Sequence, residues 1–111
     1  MKIPKLALVL PAYNEEEVLP ETISRLTIVL DNLILKNQIT DDSFMVFVDD
    51  GSKDKTWVSI EELSEVNTFV KGLKLSKNQG HQNALLAGME YVADRCDCMS
   101  SLDADLQQDA N

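Results

Sequence analysis

Residues 44–56 read FMVFVDDGSKDKT, and within that short stretch the chain changes character twice. Positions 44–48 are apolar, rich in aromatic and β-branched residues, and too few for a helix, so they read as a buried strand. Asp49, Asp50, Gly51 and Ser52 then turn the chain. Asp54 stands where it can cap a helix that carries Trp57, Ile60, Leu63 and Val66 inward. A strand that passes through a polar turn into a helix is half of a βαβ unit, and the same pattern recurs on both sides.

Upstream, residues 5–10 (KLALVL) form a short apolar run closed by Pro11, the signature of another buried strand. Leu19, Ile23, Leu26, Leu30 and Leu33 follow at alternating spacings of four and three, the stripe of an amphipathic helix. Pro20 is tolerable only in the first turn, so that helix is expected to start at Val18 or Leu19. Downstream, residues 69–75 make a weaker third strand. After Asn78, Gln79 and Gly80 comes a third helix with Leu85, Gly88, Met89, Val92 and Ala93 on one side. Residues 98–102 supply a short fourth strand containing two serines. Strand and helix thus alternate from end to end. The pattern predicts an α/β fold, a Rossmann-like parallel sheet with flanking helices on both faces.

Composition narrows the classes. A chain of 111 residues with 44% apolar content suits one compact domain. No apolar stretch approaches the roughly 20 residues of a membrane span, and residues 1–5 (MKIPK) lack a signal-peptide core, so a soluble, cytoplasmic chain is expected. Nineteen acidic against 10 basic residues give a net charge of −9, which argues against a nucleic-acid surface and suits a divalent cation. Much of that acid has a plainer use, since Glu15, Glu16, Glu17, Glu61, Glu62 and Glu65 look like helix starts and solvated helix faces. Cys96 and Cys98, with His81 far off as the sole histidine, are too few for zinc and are expected to be reduced, partly buried thiols.

In open parallel sheets ligands collect beyond the carboxyl ends of the strands. The unusual polar segments all fall there: residues 11–15 (PAYNE), 49–52 (DDGS), 76–78 (SKN) and 103–105 (DAD). Asp103 and Asp105 are two apart, so in extended backbone both carboxylates leave one face. They form either a solvated acidic turn or a pair held together by Mg2+ or Mn2+, with Gln107 able to add a neutral oxygen. Asp50 is either part of a turn or an acceptor for base N–H groups or ribose hydroxyls, with Gly51 letting backbone pass close. Tyr13 can stack on a base or cover the end of the first strand. Glu15 can hold a base edge or favour the helix dipole. Lys77 is the best-placed cation for phosphates, and the role of His81 stays open. Dinucleotide-binding, P-loop and nucleophile-elbow motifs are absent.

Taken together, LVLPAYNEEEVLPETI, VFVDDGSKDKT, LSKNQGHQNALLAGM and SLDADLQQD resemble family-2 glycosyltransferases of the GT-A kind, above all the dolichol- or polyprenyl-phosphate sugar synthases. The likeness runs from about Lys5 to Asp109, and four motifs in order make it specific. It implies that Pro11, Tyr13 and Glu15 surround the nucleotide base and that Val48 and Asp50 hold base and ribose. It further implies that Asp103, Ala104 and Asp105 meet metal and diphosphate, and that Gln107 reaches the metal. Where the family has His/Asp-Pro-Pro, this chain has Gln108, Asp109 and Ala110, which makes Gln107 the least secure ligand. The donor would be a UDP- or GDP-sugar and the acceptor a polyprenyl phosphate, or alternatively a saccharide. Residues 1–111 would then be the N-terminal nucleotide-sugar-binding part of a catalytic domain, a fragment lacking the acceptor half. Such a fragment is expected to be inactive alone and prone to self-association, and its full-length parent would sit at the cytoplasmic face of a membrane. A phospho-receiver module is the rival from another class. Its acidic pair follows the first strand, however, whereas Pro11, Ala12 and Tyr13 follow it here.

Overall fold

The computed structural model describes residues 2–77 and 80–102. Four strands and three helices alternate: β1 (Leu6–Ala12), α1 (Leu19–Leu35), β2 (Phe44–Asp49), α2 (Thr56–Val66), β3 (Val70–Lys74), α3 (His81–Val92) and β4 (Cys98–Ser101). The strands form one sheet in the order β3-β2-β1-β4, and every pairing is parallel. The expected Rossmann-like α/β sheet is therefore present. Strand order grows outward from β1 to β3 and then returns to its other side, so the switch point lies between β1 and β4. Asp103, Ala104, Asp105 and Gln107 lie outside the described residues, as do Asn78 and Gln79.

Alternation along each strand divides the core between two faces. Leu8, Leu10, Met45 and Phe47 pack against α1 and α2, through Leu19, Ile23, Leu26, Leu30 and Ile60. Ala7, Val9, Val46 and Val48 face α3, through Ala84 and Val92. Both faces of the central strands are thus covered, which is why β1 and β2 read as unbroken apolar runs. The closest approach is at Gly88 in α3, where an added Cβ would lie 2.5 Å from Val9 Cγ1 and 2.8 Å from Val48 Cγ2. Only a residue without a side chain lets the helix sit that near the sheet.

Several local expectations are corrected. β1 continues through Pro11 to Ala12, pairing Pro11 with Val48 and Ala12 with Asp49. Val9 accepts from Leu102 N–H on the β4 side, so by alternation Pro11 also presents its nitrogen to that side, beyond the last β1–β4 pair, Val9 with Ser101. The N–H that proline lacks is therefore not one the β1–β2 ladder needs. Val66, expected inward, is 80% exposed in the last turn of α2. Ala93 is exposed and follows α3 as its C-cap. β4 is exposed throughout, because it forms an edge of the sheet. The thiols part company: Cys96 packs beneath α3, whereas Cys98 is exposed and in register with Leu6, which belongs to the opposite face.

Candidate functional site

All four strands are parallel, so the segments that follow them emerge along one edge. The loops after β1 and β2 are fastened together by hydrogen bonds between residues about 40 apart in sequence. Asn14 N–H donates to Ser52 Oγ at 2.9 Å, and Asn14 Oδ1 accepts from Lys53 N–H at 2.9 Å. Glu15 N–H donates to Thr56 Oγ1 at 2.8 Å, and Glu16 Oε1 accepts from Lys55 N–H at 3.0 Å. Glu16 N–H adds a longer bond to Asp54 Oδ2 at 3.5 Å. Each loop thus offers backbone donors to the side chains of the other. Asn14 is the pivot, with φ of 53°, a left-handed conformation that asparagine tolerates better than most residues.

Asp54 accepts Thr56 N–H at 2.9 Å and the Thr56 hydroxyl at 2.5 Å. The expected cap is thus displaced by one residue: Lys55 is the N-cap of α2, without a side-chain cap bond, and Asp54 holds the helix start from just before it. Burial alone would raise the Asp54 carboxyl, but the hydrogen bonds from the Thr56 hydroxyl and from the Thr56 and Glu16 N–H groups hold it below the ordinary carboxylate range.

The acidic pair that ends β2 is buried, with Asp49 only 1% and Asp50 4% exposed, and the two have different partners. Asp49 closes its own turn, its Oδ1 accepting from Ser52 N–H at 3.1 Å, while its carbonyl accepts from Leu75 N–H at 3.0 Å. Asp50 reaches outward. Its N–H donates to the Ala12 carbonyl at 3.0 Å, and its Oδ2 accepts from Gly80 N–H at 3.1 Å. Gly80 is the N-cap of α3, at φ 92°, and the first turn of that helix contains no acidic residue. Asp50 therefore supplies a hydrogen-bond acceptor to the N-terminus of α3 from the segment that follows β2. Through it the segment after β3 is tied to the other two.

The structure brings Tyr13, Glu15 and Asp50 to this shared edge. Tyr13 is 39% exposed just past β1, Glu15 is half-buried, and Pro11 is buried within the strand. Lys77 is exposed in the segment before α3, and His81 opens that helix. Val48 is at the edge in sequence but turns its side chain fully into the core beneath Gly88. Among the described residues no group of three or more His, Cys, Asp and Glu is arranged to hold a metal ion. The residues expected to do so, Asp103, Asp105 and Gln107, lie outside the described residues.

The sequence placed Asn14 and Ser52 in the polar segments of this edge without a role, read Glu16 as a helix-start acid, and offered Asp54 only as a helix cap. Asparagine two residues past a strand, opposite a Ser-Lys-Asp turn, is a usable cue. Nothing in one-dimensional sequence, however, says that the two turns meet.

Comparison with known proteins agrees with this architecture. The model of the family Glycosyl transferase family 2 matches residues 7–111. This chain belongs to that family. It is 54% identical over 106 residues to YkoT of Bacillus subtilis strain 168, an uncharacterized glycosyltransferase, covering 96% of this chain and 32% of that protein. It is 39% identical over 103 residues to the undecaprenyl-phosphate 4-deoxy-4-formamido-L-arabinose transferase of Shewanella sediminis, covering 92% of this chain and 29% of that one. The chain thus spans about a third of the curated relatives it matches. Among solved structures, the mannosyltransferase PcManGT of Pyrobaculum calidifontis in complex with GDP-Man and Mn2+ shares the fold. Its TM-score is 0.68 at 21% identity, over 95% of this chain and 28% of that one. S. aureus TarS residues 1–349 in complex with UDP-GlcNAc gives a TM-score of 0.66 at 21% identity, over 91% and 26%. The family match and these structures together give the chain the GT-A-like fold of family-2 glycosyltransferases. Among the described residues no helix is long and apolar enough to cross a membrane.

Proposed function

We propose that this chain forms the nucleotide-sugar-binding half of an enzyme that moves a sugar from a UDP- or GDP-sugar to a polyprenyl phosphate. The observation that carries the reading is the joined edge of the sheet, where buried Asp50 links the loop after β2 to the end of β1 and the start of α3. In this reading Pro11, Tyr13 and Glu15 surround the base, with the exposed Tyr13 ring free to stack on it. Asp50 accepts from base or ribose. Val48 acts by anchoring the strand end and not through its side chain. Lys77 faces the phosphates.

Asp103, Ala104 and Asp105, with Gln107, would meet the diphosphate and hold Mg2+ or Mn2+. Two carboxylates and an amide are hard oxygen donors, the chemistry such ions prefer. Bound there, the ion neutralises charge that develops on the leaving diphosphate as the sugar–oxygen bond breaks. An acceptor phosphate is already anionic and needs no base to attack. The similarity to an undecaprenyl-phosphate transferase favours that acceptor over a saccharide. Residues holding the acceptor would belong to the part of the relatives this chain does not span, and the whole enzyme would work at the cytoplasmic face of a membrane.

Calorimetry with UDP and GDP in the presence of Mn2+ tests the reading. Both Asp103→Asn and Asp105→Asn should weaken binding, and unchanged affinity in the two variants would remove the metal assignment. Transfer of labelled sugar by the full-length enzyme to a saccharide and not to polyprenyl phosphate would overturn the choice of acceptor.

A further inference from the structure

We propose that Asn14 is a positioning residue that locks the loop after β1 to the loop after β2 and thereby sets how tightly this edge holds the nucleoside part of its donor. The role rests on the nucleotide-binding reading above. Asn14 stands between Tyr13 and Glu15, both assigned to the base, and its partners Ser52 and Lys53 lie two and three residues after Asp50, assigned to ribose or base. Both of its bonds are 2.9 Å long and span 38 and 39 residues of sequence, and they carry the joining of the two segments past the point where the β1–β2 ladder ends, at Asp50 N–H on the Ala12 carbonyl. One bond uses the main chain of Asn14 and the other its side chain, which fixes the orientation of the residue as well as its distance. Two ligand-bearing loops fixed in the free protein spare the ligand the entropy of ordering them.

The conformation of Asn14 supplies discriminating variants. At φ 53° a glycine keeps the backbone but removes the acceptor for Lys53 N–H. An aspartate tolerates the same backbone and restores an acceptor. N14G therefore isolates the side-chain bridge from backbone strain, and N14D is the rescue. The loop after β1 also keeps its bonds from Glu15 and Glu16 to α2, so the fold should survive either change.

The experiment measures UDP and GDP binding by calorimetry with Mn2+, binding of Mn2+–pyrophosphate, and amide exchange at Lys53 in the chain without ligand. Loss of one such hydrogen bond should weaken nucleoside diphosphate binding by N14G roughly three- to tenfold. Pyrophosphate binding should stay constant, Lys53 exchange should quicken, and N14D should recover both nucleotide affinity and protection. A purely structural asparagine would lower the melting temperature without separating nucleotide from pyrophosphate. Unchanged Lys53 exchange in N14G, unchanged nucleotide affinity, or equal loss for both ligands would overturn the proposal. Quickened Lys53 exchange in N14G together with a wild-type chain that binds neither UDP nor GDP would overturn the functional reading and leave the bridge as a structural fact.

Discussion

The carboxyl of Asp54 makes stability depend on pH, as does that of Asp42, which Thr40 and Lys5 likewise hold below the ordinary carboxylate range. The acidity of Asp54 is strengthened in the folded chain, since hydrogen bonds from Thr56 and Glu16 outweigh the effect of burial. A lowered carboxyl pKa contributes stability that is present above the ordinary aspartate value of about 3.9 and is lost as pH falls through the lower folded value. Acidification below about pH 4 should therefore loosen the first turn of α2 together with its links to the β1 loop. Melting temperatures of wild type and Asp54→Ala should converge there, having differed near neutrality by the equivalent of about 0.5–1.5 kcal/mol, the usual net worth of such a hydrogen bond. A constant difference across that range would show that another group is responsible. The thiols make a second prediction at this scale. Burial, and then the charge of Cys98 and Asp97, push the Cys96 thiol up, whereas Cys98 is exposed. Brief alkylation followed by mass spectrometry should label Cys98 first.

At the level of elements, α3 is held where it is by the missing side chain of Gly88. Alanine is the better helix former by about 1 kcal/mol, but its methyl would collide with Val9 and Val48, both 0% exposed and unable to withdraw. Overpacking of about 1–3 kcal/mol should win, so Gly88→Ala should lower the urea midpoint and Gly88→Val should lower it further. A stabilised Gly88→Ala would mean that helix and sheet can separate freely. The elements themselves were legible because periodicity of two and of 3.6 reports which faces are buried, and Leu19, Ile23, Leu26 and Leu30 all fell where their spacing put them. Val66 misled because it continues the stripe of α2 into the last residue of the helix, where the side chain is 80% exposed. The carboxyl edge was legible as a place and Asp50 as a residue of interest. Its partner Gly80 was not, and neither was the Asn14 bridge, because those contacts join segments 30 to 39 residues apart and leave no local pattern.

Across the whole molecule Asp50 has two duties, one toward Gly80 and one proposed toward the nucleotide, and substitution can separate them. Asp50→Asn keeps an oxygen for Gly80 N–H, so it should weaken UDP or GDP binding by about 1–3 kcal/mol while costing less stability than Asp50→Ala. Asp50→Ala removes both and should lower affinity and stability together. If Asp50→Asn bound nucleotide like wild type, the residue would be a fastener of the loops and nothing more. The place of β4 beside β1 carries a consequence in time. Lys5 N–H finds Asp97 Oδ2 only across 92 residues, and the whole β1–β4 ladder closes over similar spans. On a ribosome adding roughly 5–20 residues per second, β1 can pair with β2 early, yet its other flank must wait several seconds longer for β4. Throughout that interval the central strand of the finished sheet is an open edge, the kind of surface that recruits chaperones or other nascent chains. The first strand synthesised is thus among the last to be completed.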